Sequence, residues 1–186
     1  MTEYGMGRGK VFPAAKARSL LNPARRLVQS PGRIVKSLGV DIDARVLEVG
    51  CGPGYFSPAV ASAVANGELV LADLQLPMLR LARQRTGAEA NVRFVQLDAT
   101  RLAFHSGTFD AVLVVLMLGE VPDRELCVSE LRRVLRAGGV ALFAESRRDG
   151  DFLRRAELCE LVEPHGFELD RVRGWSYEYT ARFLAR

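Results

Sequence analysis

Arg45 to Ser57 reads "RVLEVGCGPGYFS": a short apolar run followed by glycines at Gly50, Gly52 and Gly54. A glycine-rich turn directly after a strand lets the backbone approach a nucleotide with no β-carbon in the way. The spacing decides which nucleotide. The dinucleotide fingerprint G-x-G-x-x-G would need a glycine at position 55, where Tyr55 stands, and Pro53 stiffens the loop. The spacing present is G-x-G-x-G, with Glu48 two residues ahead of the first glycine. A dinucleotide sets its pyrophosphate on a helix N-terminus and needs close helix–strand packing there. A ligand without phosphates has no such need, and its charged amino-acid end can be held by the turn and a nearby acid. Alone, the glycines also fit a tight turn with no ligand.

The rest of the chain has the pattern such a turn belongs to. "RVLEVG" (45–50), "ELVLAD" (68–73), "VRFVQL" (92–97), "FDAVLVVLM" (109–117) and "GVALFAE" (139–145) read as strands, near-continuously apolar as strands buried on both faces are. Helical stretches lie between them. Ser57-Pro58 reads as a cap followed by proline, with Gly67 closing that helix; Leu76-Pro77 opens a second that ends near Gly87. Asp123 caps a third, with Leu126, Cys127, Leu131, Val134 and Leu135 on one face and Gly138-Gly139 as its stop. After a helix near residues 151–164, "GFELDRVRGWSYEYTARFLAR" offers two strand-like runs separated by Gly174, an antiparallel hairpin at the sheet edge. The expected architecture is a doubly wound, Rossmann-like α/β sheet of seven strands with that terminal hairpin. A helical arm precedes it, with helix starts at Asn22-Pro23 and Ser30-Pro31 and a stop at Gly39. The expected division is an arm over 1–40, packed on a domain over 41–186.

Bulk properties narrow the setting. The hydrophobic share of 48% and charged share of 26% belong to a globular chain. The longest apolar run, Ala111 to Gly119, is too short to span a bilayer, and Met1 to Lys16 has no secretory apolar core. Three cysteines at unrelated spacings (Cys51, Cys127, Cys159) argue against a disulfide framework or a zinc site and for a reducing, cytoplasmic location. Residues 1–40 carry +7 of the net +4 charge, leaving −3 on the remainder. Such an arm has the charge to attract nucleic acid, an anionic membrane surface or an acidic substrate, and equally fits a solvated helix face.

"VLEVGCGPGYFS" resembles the first motif of the class I S-adenosylmethionine-dependent methyltransferases, and the later motifs fall in register with that family. The likeness is to small bacterial and archaeal members akin to the ubiquinone/menaquinone C-methyltransferase group, and "FPAAKARSLLNPARRLVQSPGRIV" resembles the N-terminal segment of a compact subset. It implies S-adenosyl-L-methionine as cofactor, S-adenosyl-L-homocysteine as product and a small-molecule methyl acceptor, with nucleic acid disfavoured. Asp73, nineteen residues after Gly54, would accept hydrogen bonds from two ribose hydroxyls. "LPMLRLAR" is similar to the helix whose methionine lies against adenine, which gives Met78 that role; a plain core residue is the alternative. "QLDATRLAF" places Asp98 and Ala99 at the adenine edge. Glu48, Gly50, Gly52, Gly54, Tyr55, Leu74 and Leu116 complete the implied cofactor contacts.

Catalytic residues are harder to read, because a sulfonium activates its own methyl group and a base is needed only for a protonated nucleophile. An Asn/Asp-Pro-Pro-aromatic motif is absent, "MLGEVP" standing at its place, and no cysteine follows a proline. Glu120 is the first candidate to contact substrate or take a proton, with Glu145 a second on the same rim. His105 reads as an exposed loop residue and His165 as a helix C-terminal cap. The arm, through Phe12, Leu20, Leu21, Leu27 and Val28, is expected to help form the acceptor pocket. Two other readings remain: a nicotinamide-dependent reductase, and a cofactor-binding protein without transferase activity that contacts nucleic acid through its arm. Neither the acceptor, the atom methylated nor the oligomeric state is legible.

Overall fold

The computed structural model of the chain describes residues 5, 7–22, 29–87 and 89–186. Seven strands form one sheet in the order β3-β2-β1-β4-β5-β7-β6. They are β1 (Arg45–Val49), β2 (Glu68–Asp73), β3 (Val92–Gln96), β4 (Phe109–Val115), β5 (Leu135–Ser146), β6 (Phe167–Trp175) and β7 (Glu178–Ala185). The first five pair in parallel, and β7 inserts antiparallel between β5 and β6. The sheet is the expected doubly wound one. The terminal hairpin stands at the sheet edge as expected, with β7 paired to β5 and β6 outermost.

Alternate residues of each parallel strand feed opposite cores, which is why these strands are apolar throughout. Leu47, Val49, Val70, Val112 and Val114 pack towards α4 (Arg124–Val134) and α5 (Arg155–Val162). Val46, Leu69, Leu71, Ala111 and Leu113 pack the other way, with α1 (Pro31–Leu38), α2 (Ser57–Ala63) and α3 (Leu76–Thr86). From the arm, Ile34 and Leu38 join that second core, and Ala14–Leu21 forms a 3₁₀ helix. The helix start expected at Asn22-Pro23, and Leu27 and Val28, fall outside the described residues.

Local signals held at some ends and failed at others. Gly39 closes α1 in the left-handed region, and Asp123 Oδ1 accepts from Leu126 N to cap α4. Ser57 is not a cap: it lies inside α2, and its hydroxyl donates to Glu48 instead. Gly174 is not the hairpin turn; it lies inside β6, and Ser176-Tyr177 make the reversal. On α4, Val128 is buried where Leu126 was expected, because the core-facing stripe is Cys127, Val128, Leu131 and Val134. Leu135 already belongs to β5, so the helix stops before Gly138-Gly139. No helix of the described residues is long and apolar enough to cross a membrane.

Phe143 of β5 and Phe183 of β7 meet edge to face at 5.7 Å, both fully buried, and lock the reversed strand to the parallel sheet. Phe183→Ala is expected to destabilise the protein by about 3–5 kcal/mol, read as a shift in the urea midpoint by far-UV circular dichroism.

Candidate functional site

The strand order changes direction between β1 and β4, and a crevice opens beyond their carboxyl ends, the usual ligand position in a doubly wound sheet. It is a cleft of about 280 Å³. Glu48, Gly50, Gly52, Tyr55, Asp73, Leu74, Met78, Asp98, Ala99, Leu116 and Glu120 all border it. Gly54 does not: a β-carbon there would come within 2.9 Å of Ala82 Cα, so its glycine serves the packing of the turn on α3.

The turn after β1 is folded back onto β2. Gly50 N and Cys51 N both donate to Ala72 O, at 2.8 and 3.1 Å. The Asp73 carboxylate then joins two elements, Oδ2 accepting from Gly52 N (2.9 Å) and Oδ1 from Gln75 N (2.8 Å). Each oxygen retains a lone pair for a ligand hydroxyl. Burial raises the Asp73 carboxyl, and those two N–H groups pull it back. Asp98 Oδ1 takes both the backbone N–H and the hydroxyl of Thr100, fixing an exposed carboxylate at the end of β3.

Glu48 is buried behind the glycines, and burial pushes its carboxyl up to about 8 despite the hydrogen bond from Ser57. Cys51 lines the same turn, but its thiol is pushed well up by burial and the nearby acids, which leaves it a poor nucleophile. Opposite, β4 leaves the sheet through Leu116 at φ 51, the sole non-glycine residue with positive φ among those described. This twist lays Met117 over Gly50, where any β-carbon would collide with the Met117 side chain.

The N-terminal segment crosses the mouth. Gln75 clasps it, its Nε2 donating to Phe12 O (2.7 Å) and its Oε1 accepting from Ala14 N (3.2 Å). Phe12 N donates to Glu120 Oε2 at 2.9 Å, and Gly9 N donates to Gly119 O at 2.9 Å. Val11, Phe12 and Leu20 thereby become cleft wall. Burial pushes Glu120 up to about 8, partly offset by the Phe12 N–H and reinforced by Asp151, Asp149 and Asp73. Glu145 is not on this rim. It is buried under the following loop, accepting from Leu153 N, and borders no part of the cleft. His105 is exposed; His165 sits at a helix end, between Leu161 O and Glu125.

Sequence reasoning missed Gln75, Met117 and Asp149, all of which border the cleft. Gln75 and Met117 act through tertiary contacts that leave no local pattern, and Asp149 lies in a loop whose path is set only by the sheet. In charge the described wall carries Glu48, Asp73, Asp98, Glu120, Asp123 and Asp149, and no lysine, arginine or histidine. That suits a ligand with positive charge and no phosphate, and opposes a pyrophosphate.

Comparison with known proteins agrees. The chain is 34% identical over 115 residues to a demethylmenaquinone methyltransferase of Staphylococcus aureus, an overlap of 61% of this chain and 48% of that one. It therefore spans about half the length of the curated relatives it matches. In structure it is similar to a SAM dependent methyltransferase from Aquifex aeolicus (TM-score 0.86, 19% identity, 94% of this chain and 100% of that one). A putative methyltransferase of Haloferax volcanii, solved with the Trm112 activator, is also similar (TM-score 0.79, 17% identity, 92% and 96%). Residues 46–139 match the family model described as "Methyltransferase domain", so the chain belongs to the class I S-adenosylmethionine-dependent methyltransferases.

Proposed function

We propose that the cleft binds S-adenosyl-L-methionine and passes its methyl group to a small-molecule acceptor held beneath the N-terminal segment. The observation that carries this is Asp73: a carboxylate fixed by a backbone N–H on each oxygen, at a strand end, with lone pairs left for a ribose diol. Glu48 and the backbone at Gly50 and Gly52 would hold the amino-acid end. Asp98, Ala99 and Met78 would border the adenine, with Tyr55, Leu74 and Leu116 completing the wall. The cofactor supplies an electrophilic methyl on a sulfonium, and the acidic wall stabilises that positive charge.

The chain's own task is then to exclude water, orient the acceptor and take a proton where the acceptor carries one. Phe12, Leu20, Met117, Val121 and Pro122 give an apolar lining, and the size of the cleft suits a small molecule. Glu120 is the group placed for the proton. Its Oε2 is held by Phe12 N, its Oε1 makes no hydrogen bond among the described residues, and burial raises its carboxyl to about 8, nearer to the range of a phenol or an amine than an ordinary carboxylate stands. The arm over 1–40 acts in this reading as the roof of the acceptor site, through Val11, Phe12 and Leu20.

Calorimetric titration tests the site directly. S-adenosyl-L-homocysteine is expected to bind and NADH and NADPH to give no heat; Asp73→Ala should weaken the first by roughly 100-fold, two charge-assisted hydrogen bonds at about 1.5 kcal/mol each. Heat with the nicotinamides alone would overturn the proposal.

The buried acids give a pH dependence of definite sign. Glu48 and Glu120 have folded values raised to about 8 from an ordinary 4.5, so between those limits the folded chain holds protons that the unfolded chain has lost. That contribution to stability is complete below about pH 4.5 and is lost as the pH rises through about 8. The melting temperature of the ligand-free protein should fall between pH 6 and 8.5 (roughly the upper part of this window). Glu120→Gln, which keeps an acceptor for Phe12 N, should fall less steeply.

The roof is testable without an acceptor. Gln75→Ala removes both hydrogen bonds that its side chain makes to the segment, and trypsin should then cut after Lys16 and Arg18 up to about 30-fold faster, from two hydrogen bonds near 1 kcal/mol each. Unchanged cleavage would show that the segment is held some other way.

A further inference from the structure

Because β7 is antiparallel to β5 and β6 antiparallel to β7, the tip of their hairpin emerges at the same rim as the carboxyl ends of β1, β4 and β5. The tip is thus a neighbour of the cleft mouth. Arg147 N donates to Tyr177 O at 2.7 Å, tying the tip to the loop after β5, and two residues further on Asp149 borders the cleft.

That tip is built against the usual rules for a sheet edge. Trp175, the one tryptophan of the chain, is 73% exposed, and Tyr177 is 54% exposed. Large bare aromatics at the end of an edge strand invite association, and a free-standing domain gains nothing from them. Arg171, Arg173 and Trp175 alternate along β6 and so share one face of the edge strand. Arg147 and Arg148 are exposed on the adjoining loop. None of these four guanidinium groups has a hydrogen bond or ion pair among the described residues, while the acids on β6 are engaged elsewhere, Glu168 by Arg186 and Asp170 by Arg182.

Two amphipathic rings and four unpaired arginines at one corner fit an interface that is anionic at its surface and apolar just beneath. Trp and Tyr favour the headgroup level of a bilayer, and arginine pairs with lipid phosphates. A nucleic-acid strand fits less well. It needs a basic track to follow, whereas these charges stop at the rim and the neighbouring cleft wall is acidic.

We propose that the Trp175–Tyr177 tip, with Arg147, Arg148, Arg171 and Arg173, docks the protein on an anionic phospholipid surface and turns the cleft mouth towards acceptors dissolved in it. The orientation towards acceptors rests on the proposed function, whereas the docking itself does not, so vesicle binding and S-adenosyl-L-homocysteine binding succeed or fail separately.

The test is co-sedimentation of the full chain with phosphatidylglycerol/phosphatidylcholine vesicles and with phosphatidylcholine alone, at low and high salt. Binding only to the anionic vesicles, reversed by salt, with a blue shift of the single tryptophan's emission, is the expected result. Arg147→Ser with Arg148→Ser should weaken it on the order of tenfold or more, from roughly fivefold per arginine at a charged surface. Trp175→Ser should weaken it while leaving S-adenosyl-L-homocysteine affinity unchanged. No binding to anionic vesicles, or binding that both variants retain in full, overturns the proposal; so does retention of DNA or RNA by a protein that ignores the vesicles.

Discussion

The Asp73 carboxylate is the joint on which the cleft hangs. Its two oxygens receive backbone N–H groups from Gly52 and Gln75, so one side chain at the end of β2 sets both the glycine turn and the start of α3. The bonds continue outward. Gln75, positioned by Asp73 through its own backbone, holds Phe12 and Ala14 with its side chain, and Phe12 in turn reaches Glu120 after β4. Three strand ends and the N-terminal segment are thus connected through three side chains, those of Asp73, Gln75 and Glu120. A joint of this kind cannot be apolar, because the turn presents N–H groups in a part-buried crevice and each must find an acceptor.

That necessity explains why the cleft is acidic and why it is uncomfortable empty. Desolvation raises Glu48, Asp73 and Glu120 together, and they repel one another across the site. Without a ligand, Glu48 and Glu120, both raised to about 8, relieve this by holding their protons near neutrality. On the proposed reading, a positively charged cofactor would replace those protons as the compensating charge, so that burial which costs stability in the free chain would become affinity in the complex. The strained φ of Leu116 belongs to the same economy of the site, since it lays Met117 over Gly50 where a relaxed backbone would not.

Much of this was written locally in the sequence. Strand runs of continuous apolar residues could only be a sheet covered on both faces, and the acids at Asp73 and Asp98 stand where two such runs end. The errors share one cause. Ser57 has the composition of a cap, but the buried Glu48 carboxyl competes for its hydroxyl and wins, because an unpaired acid in the core costs more than a bare helix start. Glu145 was placed on the rim by its position at a strand end, and the loop that covers it leaves no mark in its own sequence. Gly54 fits the motif for a reason other than ligand approach, its packing against Ala82. Gln75 was invisible altogether, because an amide whose partners lie more than sixty residues away has no spacing to detect.

The arm illustrates the limit of charge as a guide. Its surplus of positive residues suggested an anionic partner, yet the residues of it that meet the cleft, Val11, Phe12 and Leu20, are apolar, and Arg8 spends its charge within the protein, on Phe152 O and the Glu157 carboxylate. Arg147, Arg148, Arg171 and Arg173, none of them paired among the described residues, lie instead around the exposed tryptophan. Net charge records how many ions a segment holds; which of them remain free is decided by the acids that folding brings alongside. On β6 those acids are taken by Arg182 and Arg186, both from the end of the chain, which leaves Arg171 and Arg173 without partners among the described residues and gives the edge its character.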